Sequence, residues 1–295
     1  MRLLYAIFLL TEIMHSVLSI PFVPLFSSMQ PFYKTTSVYT NVSRIVVIAD
    51  VHDDMRRFRN ILENAKIINN NNEWIAQKNT VVVQLGDQID RKHIDDDDIP
   101  KKHHFRITYF TDFLKKIALE NGSDFISMIG NHEHMNLQKI KNKPELKDII
   151  NKRPIIAVIN NFLFCHGGFT IEHYDILKRY DKNIADLNNI WDKYINDYPL
   201  DYQEKIILEY LITNNQNSIL YIRKLGDKYD NNKLFSFLNI DYMFVGHSET
   251  KNIFVENKVW YLDQILRIAF DDNMYNYIDI RGNNITITPL IDYEL

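Results

Sequence analysis

Val81–Arg91, VVVQLGDQIDR, joins an apolar run to an acidic loop. The apolar run indicates a strand that is buried within a sheet covered on both faces. Gly86 then ends the strand, and Asp87, Asp90 and Arg91 follow it. Ligands of α/β sheets bind at the carboxyl ends of strands, and buried aspartates there need a counter-charge such as a metal ion. Taken alone, the loop is equally consistent with an ordinary acidic turn.

Further apolar runs elsewhere in the chain predict more buried strands. They are Arg44–Asp50, Phe125–Ile129, Ile155–Ile159, Phe162–Cys165 and Ile240–Val245. Most of them lead into side chains of metal-ligating types, which are, in chain order, Asp50 and His52, Asn131 and His132, His166, and His247. Strand and helix patterns alternate in the first half of the chain, which predicts parallel strands whose carboxyl ends meet at one edge. Polar ends recurring in this order indicate one shared site rather than unrelated turns.

The spacing of apolar residues also predicts helices and a second group of strands. Helices are expected from Met55 and from Phe105, each lying between two strands. Residues 171–220 are expected to form a helical cap over one edge of the site, with helices at Ile171–Tyr180, Ile184–Tyr194 and Tyr202–Leu211. The last part of the chain is expected to close a second sheet with antiparallel strands at Val259–Leu262, Tyr275–Ile280 and Ile285–Pro289.

The composition restricts the class of protein and the kind of metal site. A hydrophobic content of 46% is that of a globular protein with a sizeable core. The formal net charge of −4 argues against a dedicated nucleic-acid binder, so no nucleic-acid partner is expected. The single cysteine, Cys165, excludes an internal disulfide framework and a thiolate-built zinc site. A metal ion would therefore be held by nitrogen and oxygen ligands.

The N-terminal segment needs a separate interpretation. Residues 1–19, MRLLYAIFLLTEIMHSVLS, have the charged start, apolar run and small-residue end of a secretory signal peptide. The alternative is an amphipathic helix that packs on the domain. A signal peptide predicts that the protein is located in the secretory pathway or the extracellular space. A packed helix predicts a cytoplasmic location. Residues 20–43 are expected to form an irregular lead-in to a domain at residues 44–295, in which no segment is apolar enough to cross a membrane.

The motifs DxH, GDxxDR, GNHE, HGG and GH, in this order, resemble those of the calcineurin-like metallophosphoesterase superfamily and of its phosphoprotein-phosphatase branch. Three further segments, His134–Leu137, Ala185–Asn188 and Tyr221–Arg223, are similar to those of the Shewanella-like protein phosphatases within that branch. The resemblance extends from Ile45 to Asp263. It implies an α/β fold, a four-layer αββα sandwich of two mixed β-sheets flanked by helices.

The resemblance also implies a centre of two metal ions at these strand ends. The implied ligands are carboxylate, amide and imidazole groups, for one ion Asp50, His52 and Asp87, and for the other Asp87, Asn131, His166 and His247. A ligand set of this mixed kind suits Mn, Fe or Zn better than Ca or Mg. The implied reaction is in-line attack on phosphorus by a hydroxide that bridges the two metal ions.

The remaining motif residues are implied to handle the proton and the phosphate. His132 would be the general acid that protonates the leaving alkoxide, and Asp90 would orient its ring. Arg91 and Arg223 would bind the phosphoryl oxygens, because a guanidinium group presents a fork of donors to them. For Arg223 an ordinary helix-end arginine is the alternative.

Together these features predict a metal-dependent phosphatase that hydrolyses phosphomonoesters, on phosphoproteins at Ser/Thr or at Tyr. One alternative is a hydrolase of dinucleoside polyphosphates or other nucleotide pyrophosphates on the same metal core. Another is an inactive phosphate-binding module. The expected partner is a phosphorylated protein or a small phosphate ester, and the sequence leaves the oligomeric state unknown.

Overall fold

The structure, a computed structural model, describes residues 38–90, 105–213, 216–223, 225, 231–264 and 275–289. All of them lie within the unit Thr35–Leu295. The predicted signal peptide, most of the predicted lead-in and Arg91 lie outside the described residues. Among the described helices, none combines the length and the apolar character that crossing a bilayer requires.

Strands and helices alternate through the first half of the described chain. The strands, in chain order, are β1 (Val38–Tyr39), β2 (Arg44–Ile48), β3 (Thr80–Gln84), β4 (Asp124–Ser127), β5 (Ile156–Ile159), β6 (Phe162–Cys165), β7 (Tyr242–Val245), β8 (Phe254–Glu256), β9 (Val259–Tyr261), β10 (Asn276–Arg281) and β11 (Asn284–Pro289). The helices are α1 (Met55–Asn64), α2 (Arg106–Glu120), α3 (Asn131–Met135), α4 (Leu137–Lys141), α5 (Pro144–Ile150), α6 (Ile171–Arg179), α7 (Ile184–Ile195), α8 (Tyr202–Ile207) and α9 (Asn231–Leu238). A π-helix, Leu208–Thr213, follows α8 directly.

These strands form two mixed sheets. The five-stranded sheet has the order β11-β10-β2-β3-β4, in which β2, β3 and β4 are parallel and β10 is antiparallel to both of its neighbours. The six-stranded sheet has the order β1-β5-β6-β7-β9-β8, with β6, β7 and β9 parallel. The parallel strands of each sheet therefore end at a common edge, which is where the motif residues follow.

The core lies between the two sheets and on their outer faces. Val47 and Val83 of the five-stranded sheet belong to the core between the sheets. Phe164 and Phe244 of the other sheet belong to the same core, with stacked rings 5.1 Å apart. Val82, whose side chain is on the opposite face of β3, packs instead in a cluster with Phe58 of α1. Both faces of β3 are covered, which explains why all five of its residues, TVVVQ, are buried.

Helices cover the outer faces and complete the four predicted layers. The side chain of Asp54 accepts a hydrogen bond from the backbone N–H of Arg57 (3.0 Å) and so caps the start of α1. Helix α2 buries Leu114 in the same outer cluster as Phe58. On the far side, Trp191 of α7 packs with core residues of the six-stranded sheet. The predicted αββα sandwich is thereby confirmed.

The prediction for the C-terminal strands was wrong in their grouping. They were expected to close one sheet together, but β9 pairs in parallel with β7 whereas β10 and β11 extend the five-stranded sheet beside β2. Alternating apolar residues predict that a strand exists, but they do not specify its partner. The strand β1, within the expected irregular lead-in, pairs with β5.

Candidate active site

Asp87 lies at the centre of the candidate site, directly beyond β3, and is buried. Its Oδ1 accepts a hydrogen bond from the backbone N–H of His132 (2.9 Å) and lies 3.4 Å from Nε2 of His166. Its Oδ2 lies 3.9 Å from Nε2 of His52 and 3.8 Å from Nε2 of His132. One buried carboxylate that faces imidazoles on both of its oxygens is placed to be shared between two cations.

The first predicted ligand group comes together around His52. Nε2 of this histidine lies 3.9 Å from Oδ2 of Asp50 and 3.9 Å from Oδ2 of Asp87. Its Nδ1 lies 3.3 and 3.2 Å from the backbone carbonyl oxygens of Ile89 and Asp90, which only accept hydrogen bonds. The proton of a neutral ring is therefore on Nδ1, and Nε2 presents its lone pair toward the two carboxylates.

The second predicted group gathers around His166, which is fully buried. Nδ1 of His166 donates to the carbonyl oxygen of Leu85 (2.8 Å), so Nε2 is directed at Oδ1 of Asn131, 2.9 Å away, and at Asp87. The rings of His166 and His247 are 5.0 Å apart. Nε2 of His247 donates to the carbonyl oxygen of Tyr221 (3.0 Å), which leaves its Nδ1 as the ligand atom.

These donor atoms fit metal ions. Ligand atoms of Asp87, His166 and His247 all lie within 4.8 Å of one another, and so do those of His52, Asp87 and His132. Nitrogen and carboxylate oxygen donors of this kind are typical of Mn, Fe and Zn sites. The structure therefore brings all six predicted ligands together, with Asp87 common to both groups. It also places His132, predicted as the general acid, beside the first group.

The backbone turns sharply at several of these residues. His52, Asp87, Asp90 and His247 have positive φ angles of 41°, 51°, 59° and 56°. This left-handed region is uncommon for residues other than glycine and costs on the order of 1–3 kcal/mol at each position. Such conformations persist where surrounding contacts fix them, and they cluster at functional sites. The strand-end turns here are set by the site rather than by local preference.

Two glycines allow the carboxylates their close approach to neighbouring backbone. A Cβ atom at Gly130 would overlap Oδ1 of Asp87, and one at Gly246 would overlap Oδ1 of Asp50. Oδ1 of Asp50 instead accepts a hydrogen bond from the N–H of His247 (3.2 Å). The glycines of the GNHE and GH motifs therefore leave the space that the carboxylates of Asp87 and Asp50 occupy.

Burial and mutual charge shift the pKa values of the cluster strongly. Burial raises the pKa of Asp50 well above its usual range, and the charge of Asp263 adds to this effect. Burial also acts to raise the pKa of Asp87, but the charge and hydrogen bond of His166 outweigh it and hold the value below the usual range. Burial opposes protonation of His166, yet Asp87 and Asp50 raise its pKa to about 10. Burial, reinforced by the charge of His166, lowers the pKa of His247 to about 3. Buried carboxylates in such a cluster require compensating positive charge, which is what bound cations supply.

His132 and Asp90 form a hydrogen-bonded pair at the edge of this cluster. Nδ1 of His132 lies 3.0 Å from Oδ2 of Asp90, and the side-chain amide of Asn136 donates to the same oxygen. Burial acts to lower the pKa of His132, but the hydrogen bond to Asp90 and the charge of Asp87 outweigh it and raise the value. The hydrogen bond to Asp90 orients the ring and favours its protonated form, which the acid role requires.

A buried polar network supports the Asp87 loop, and the sequence analysis did not assign it. The carboxylate of Glu133 accepts hydrogen bonds from the N–H groups of Asp87 (2.9 Å), Gln88 (2.8 Å) and Gly130 (2.8 Å). Buried Arg153 donates to the side-chain oxygen of Gln88 (2.5 Å). Glu133 was recognisable as part of the GNHE motif, whereas nothing in the local sequence around Arg153 indicates its role.

Arg223 is exposed, and its guanidinium donates to the backbone carbonyl of His247. This contact places the residue beside the second ligand group. Arg91 follows Asp90 directly in the sequence, but it lies outside the described residues, so its predicted role in phosphate binding stays a prediction.

Known proteins resemble this chain in sequence. Shewanella-like protein phosphatase 1 from Plasmodium berghei (strain Anka) is 29% identical over 161 residues, and the match covers 45% of this chain and 42% of that protein. Shewanella-like protein phosphatase 2 from Arabidopsis thaliana is 34% identical over 95 residues, or 32% and 22% of the two chains. The matched part is thus less than half the length of either relative.

Solved structures share the fold. The cold-active protein-tyrosine phosphatase of a psychrophilic Shewanella species superimposes with a TM-score of 0.68 at 18% identity, covering 86% of this chain and 82% of that one. A protein serine/threonine phosphatase from Saccharomyces cerevisiae gives a TM-score of 0.55 at 14% identity, covering 88% and 85%. At such identities the likeness establishes the architecture and nothing finer.

The family model of the calcineurin-like phosphoesterases matches residues 43–249, which include every predicted metal ligand. The predicted class, a hydrolase of phosphoesters, is the class of the relatives found. The predicted family is therefore confirmed, and the chain belongs to the calcineurin-like phosphoesterases.

Proposed function

We propose that this chain is a metal-dependent phosphomonoesterase that dephosphorylates phosphoproteins, at Ser/Thr or at Tyr. The observation that carries the proposal is the convergence of imidazoles from separate strand ends on the buried carboxylate of Asp87. Membership of the calcineurin-like phosphoesterases supports phosphoester hydrolysis. The names of the curated relatives, both protein phosphatases, support a phosphoprotein substrate.

The donor atoms divide into two metal sites. The residues that would hold the ions are Asp50, His52 and Asp87 for one, and Asp87, Asn131, His166 and His247 for the other. Bound ions of Mn, Fe or Zn would neutralise the buried carboxylates and make hydroxide available as the nucleophile near neutral pH. Asp87 would serve both ions because each of its oxygens faces a different histidine, His166 or His52.

His132 would protonate the leaving alkoxide. Its Nδ1 is held by Asp90 at 3.0 Å, so the proton that is transferred is the one on Nε2. The hydrogen bond to Asp90 raises the pKa of the ring and so favours its protonated form. Asp90 itself is held by the side-chain amide of Asn136, which fixes the direction of the hydrogen bond.

Arginine side chains would bind the phosphoryl oxygens. Arg223 contacts the backbone of His247 and is exposed at the edge of the second ligand group. Its forked donors match two oxygens of a phosphate, which the single charge of lysine would not. Arg91 is the proposed second arm of this clamp because it follows Asp90 directly.

The proposal is tested first by elemental analysis of the purified full chain, together with p-nitrophenyl phosphate turnover before and after chelation. We expect two metal ions per chain, loss of turnover on chelation, and recovery on adding Mn, Fe or Zn. Bound metal without turnover would instead support the inactive phosphate-binding module. Turnover that survives complete metal removal would contradict the proposal.

The substrate class needs a second comparison. We expect a higher kcat/KM for phosphoserine, phosphothreonine or phosphotyrosine peptides than for dinucleoside polyphosphates. The reverse order would assign the chain to nucleotide pyrophosphate hydrolysis on the same metal core.

A further inference from the structure

Tyr221 connects two parts of the candidate site that are far apart in the sequence. Its hydroxyl lies 2.7 Å from Nδ1 of His134, which belongs to α3. Its backbone carbonyl accepts a hydrogen bond from Nε2 of His247 (3.0 Å). One residue thus contacts the helix that carries Asn131 and His132 through its side chain, and a predicted metal ligand through its backbone.

The His134 ring is held in place for this contact. It packs edge-on against the ring of Trp191, with centroids 6.2 Å apart, and against the ring of Tyr221 at 5.8 Å. Trp191 is fully buried in the core on the outer side of the six-stranded sheet. The packing against Trp191 therefore fixes the orientation of the His134 ring that forms the hydrogen bond with Tyr221.

The segment that contains Tyr221, residues 218–223, is also fastened at other points. The carbonyl oxygen of Ile219 accepts hydrogen bonds from the N–H groups of Gly167 (2.9 Å) and Gly168 (3.2 Å), directly after His166. At its end, Arg223 donates to the carbonyl of His247. The contact of Tyr221 with His134 differs from these attachments because it is made by two side chains and joins the segment to α3.

We propose that the hydrogen bond between Tyr221 and His134 positions Arg223, by fastening the segment 218–223 to α3 so that the guanidinium meets the phosphoryl group at a fixed place. The role of Arg223 in this statement rests on the proposed function. Tyr221 and His134 are positioning residues, since they act through Arg223 and not on the substrate.

This arrangement predicts a selective effect on phosphate binding. The hydrogen bonds of the Ile219 carbonyl with Gly167 and Gly168, and of the Tyr221 carbonyl with His247, do not involve the Tyr221 side chain, so the metal ligands keep their places. An arginine side chain has many rotamers, and a less firmly held segment increases the entropy lost when it binds phosphate. Affinity for the phosphoryl group should therefore fall while metal content and the rate of the chemical step stay nearly constant.

The test is Tyr221→Phe in the full metal-loaded chain, which removes the hydroxyl and keeps the ring. Loss of one ordinary hydrogen bond predicts a rise of about 2- to 10-fold in both KM for p-nitrophenyl phosphate and Ki for inorganic phosphate. We expect kcat and metal content to change little. Tyr198→Phe, at a tyrosine that is 58% exposed and follows α7, is the matched control and should leave both constants unchanged.

Variants of the partner make the test specific. His134→Ala, which also removes a ring packed against Trp191, should raise KM and Ki at least as much as Tyr221→Phe, and the double variant should be no worse than His134→Ala. His134→Asn, whose amide reaches the position of Nδ1, should restore much of the affinity. Additive losses in the double variant, or unchanged KM and Ki in Tyr221→Phe, would overturn the proposal.

Failure of the proposed function would be distinguishable from failure of this inference. Calorimetric titration of inorganic phosphate into the metal-loaded protein measures the affinity of the site for phosphate without any turnover. If the unaltered chain binds phosphate but does not hydrolyse p-nitrophenyl phosphate, the proposed function is wrong. The same variants would then still test the positioning of Arg223 through their phosphate affinity.

Discussion

The metal cluster and the rim of the candidate site are built in different ways. Asp87 and His166 are buried and are held by hydrogen bonds to backbone groups, and Asp87 also lies in a left-handed turn. His132 and Arg223 are more accessible, and a side-chain pair or a single contact holds each of them. The buried half is therefore preformed for binding cations, whereas the rim is adjusted by side-chain contacts. Substitutions in the two halves should fail in different ways.

The largest effect is expected from Asp87→Asn in the buried half. An amide supplies one oxygen ligand in place of two, so both metal groups lose their shared anion. Metal content should fall and p-nitrophenyl phosphate turnover should drop to the level of the chelated protein. Asp241→Asn, at an exposed aspartate, is the control. Full metal content in Asp87→Asn would show that the cluster does not depend on a bridging carboxylate.

His132→Asn tests the rim and should leave the buried half intact. Removing the general acid is expected to lower kcat by about 10²- to 10⁴-fold. Metal content and thermal stability should remain those of the unaltered chain, since the side chain of His132 is not among the predicted ligands. If His132→Asn is as active as the unaltered chain, His132 is not the general acid. If the variant loses one metal ion, His132 is a metal ligand.

Glu133→Gln tests the support beneath the cluster. One carboxylate oxygen, which accepts N–H groups of the Asp87 loop, becomes an NH₂ group that opposes them. Metal affinity should fall about 10- to 100-fold, as is typical when a partner that orients a ligand is altered. Glu204→Gln is a matched control, because Glu204 is also buried and also accepts the N–H that begins its helix. Equal losses in both variants would indicate a general effect on stability.

The smallest effect is a displacement along the pH axis. The pKa of His132 is raised by Asp90, so the protonated acid is present below that pKa and is lost as the pH rises through it. Asp90→Asn removes the charge, and the high-pH limb of kcat should move to lower pH. Asp197→Asn, whose side chain is 68% exposed, should leave the limb in place. If the high-pH limb of kcat stays in place in Asp90→Asn, the charge of Asp90 does not raise the pKa of the catalytic acid.

The ligands were predictable because each one directly follows an apolar strand and belongs to a chemically distinctive motif. The resemblance assigned His166 and His247 to one ion, and the structure gives the reason for their proximity, since β6 and β7 are parallel neighbours that end at the same edge. The Arg153 contact to Gln88 joins residues 65 positions apart, and no local pattern specifies it. Sequence periodicity therefore locates the donors but not the network that holds them.

Other parts of the fold were missed for related physical reasons. Helices α3 and α4 have five residues each, too few for a helical period to be recognised. The neighbours of β9 and β10 depend on which core their side chains enter. Ile278 of β10 packs between the two sheets, which places that strand beside β2. The pairing of strands depends on tertiary packing and cannot be read from the local alternation of apolar and polar residues.

The position of β10 has a consequence for biosynthesis. This strand, Asn276–Arg281, lies between β2 and β11 in the sheet. One edge of β2, the strand that precedes Asp50, is therefore unpaired until residue 281 has left the ribosome. An unpaired strand edge is an aggregation hazard. A nascent or prematurely terminated chain ending before Asn276 should therefore associate through β2, and its recovery from cells should depend on chaperones.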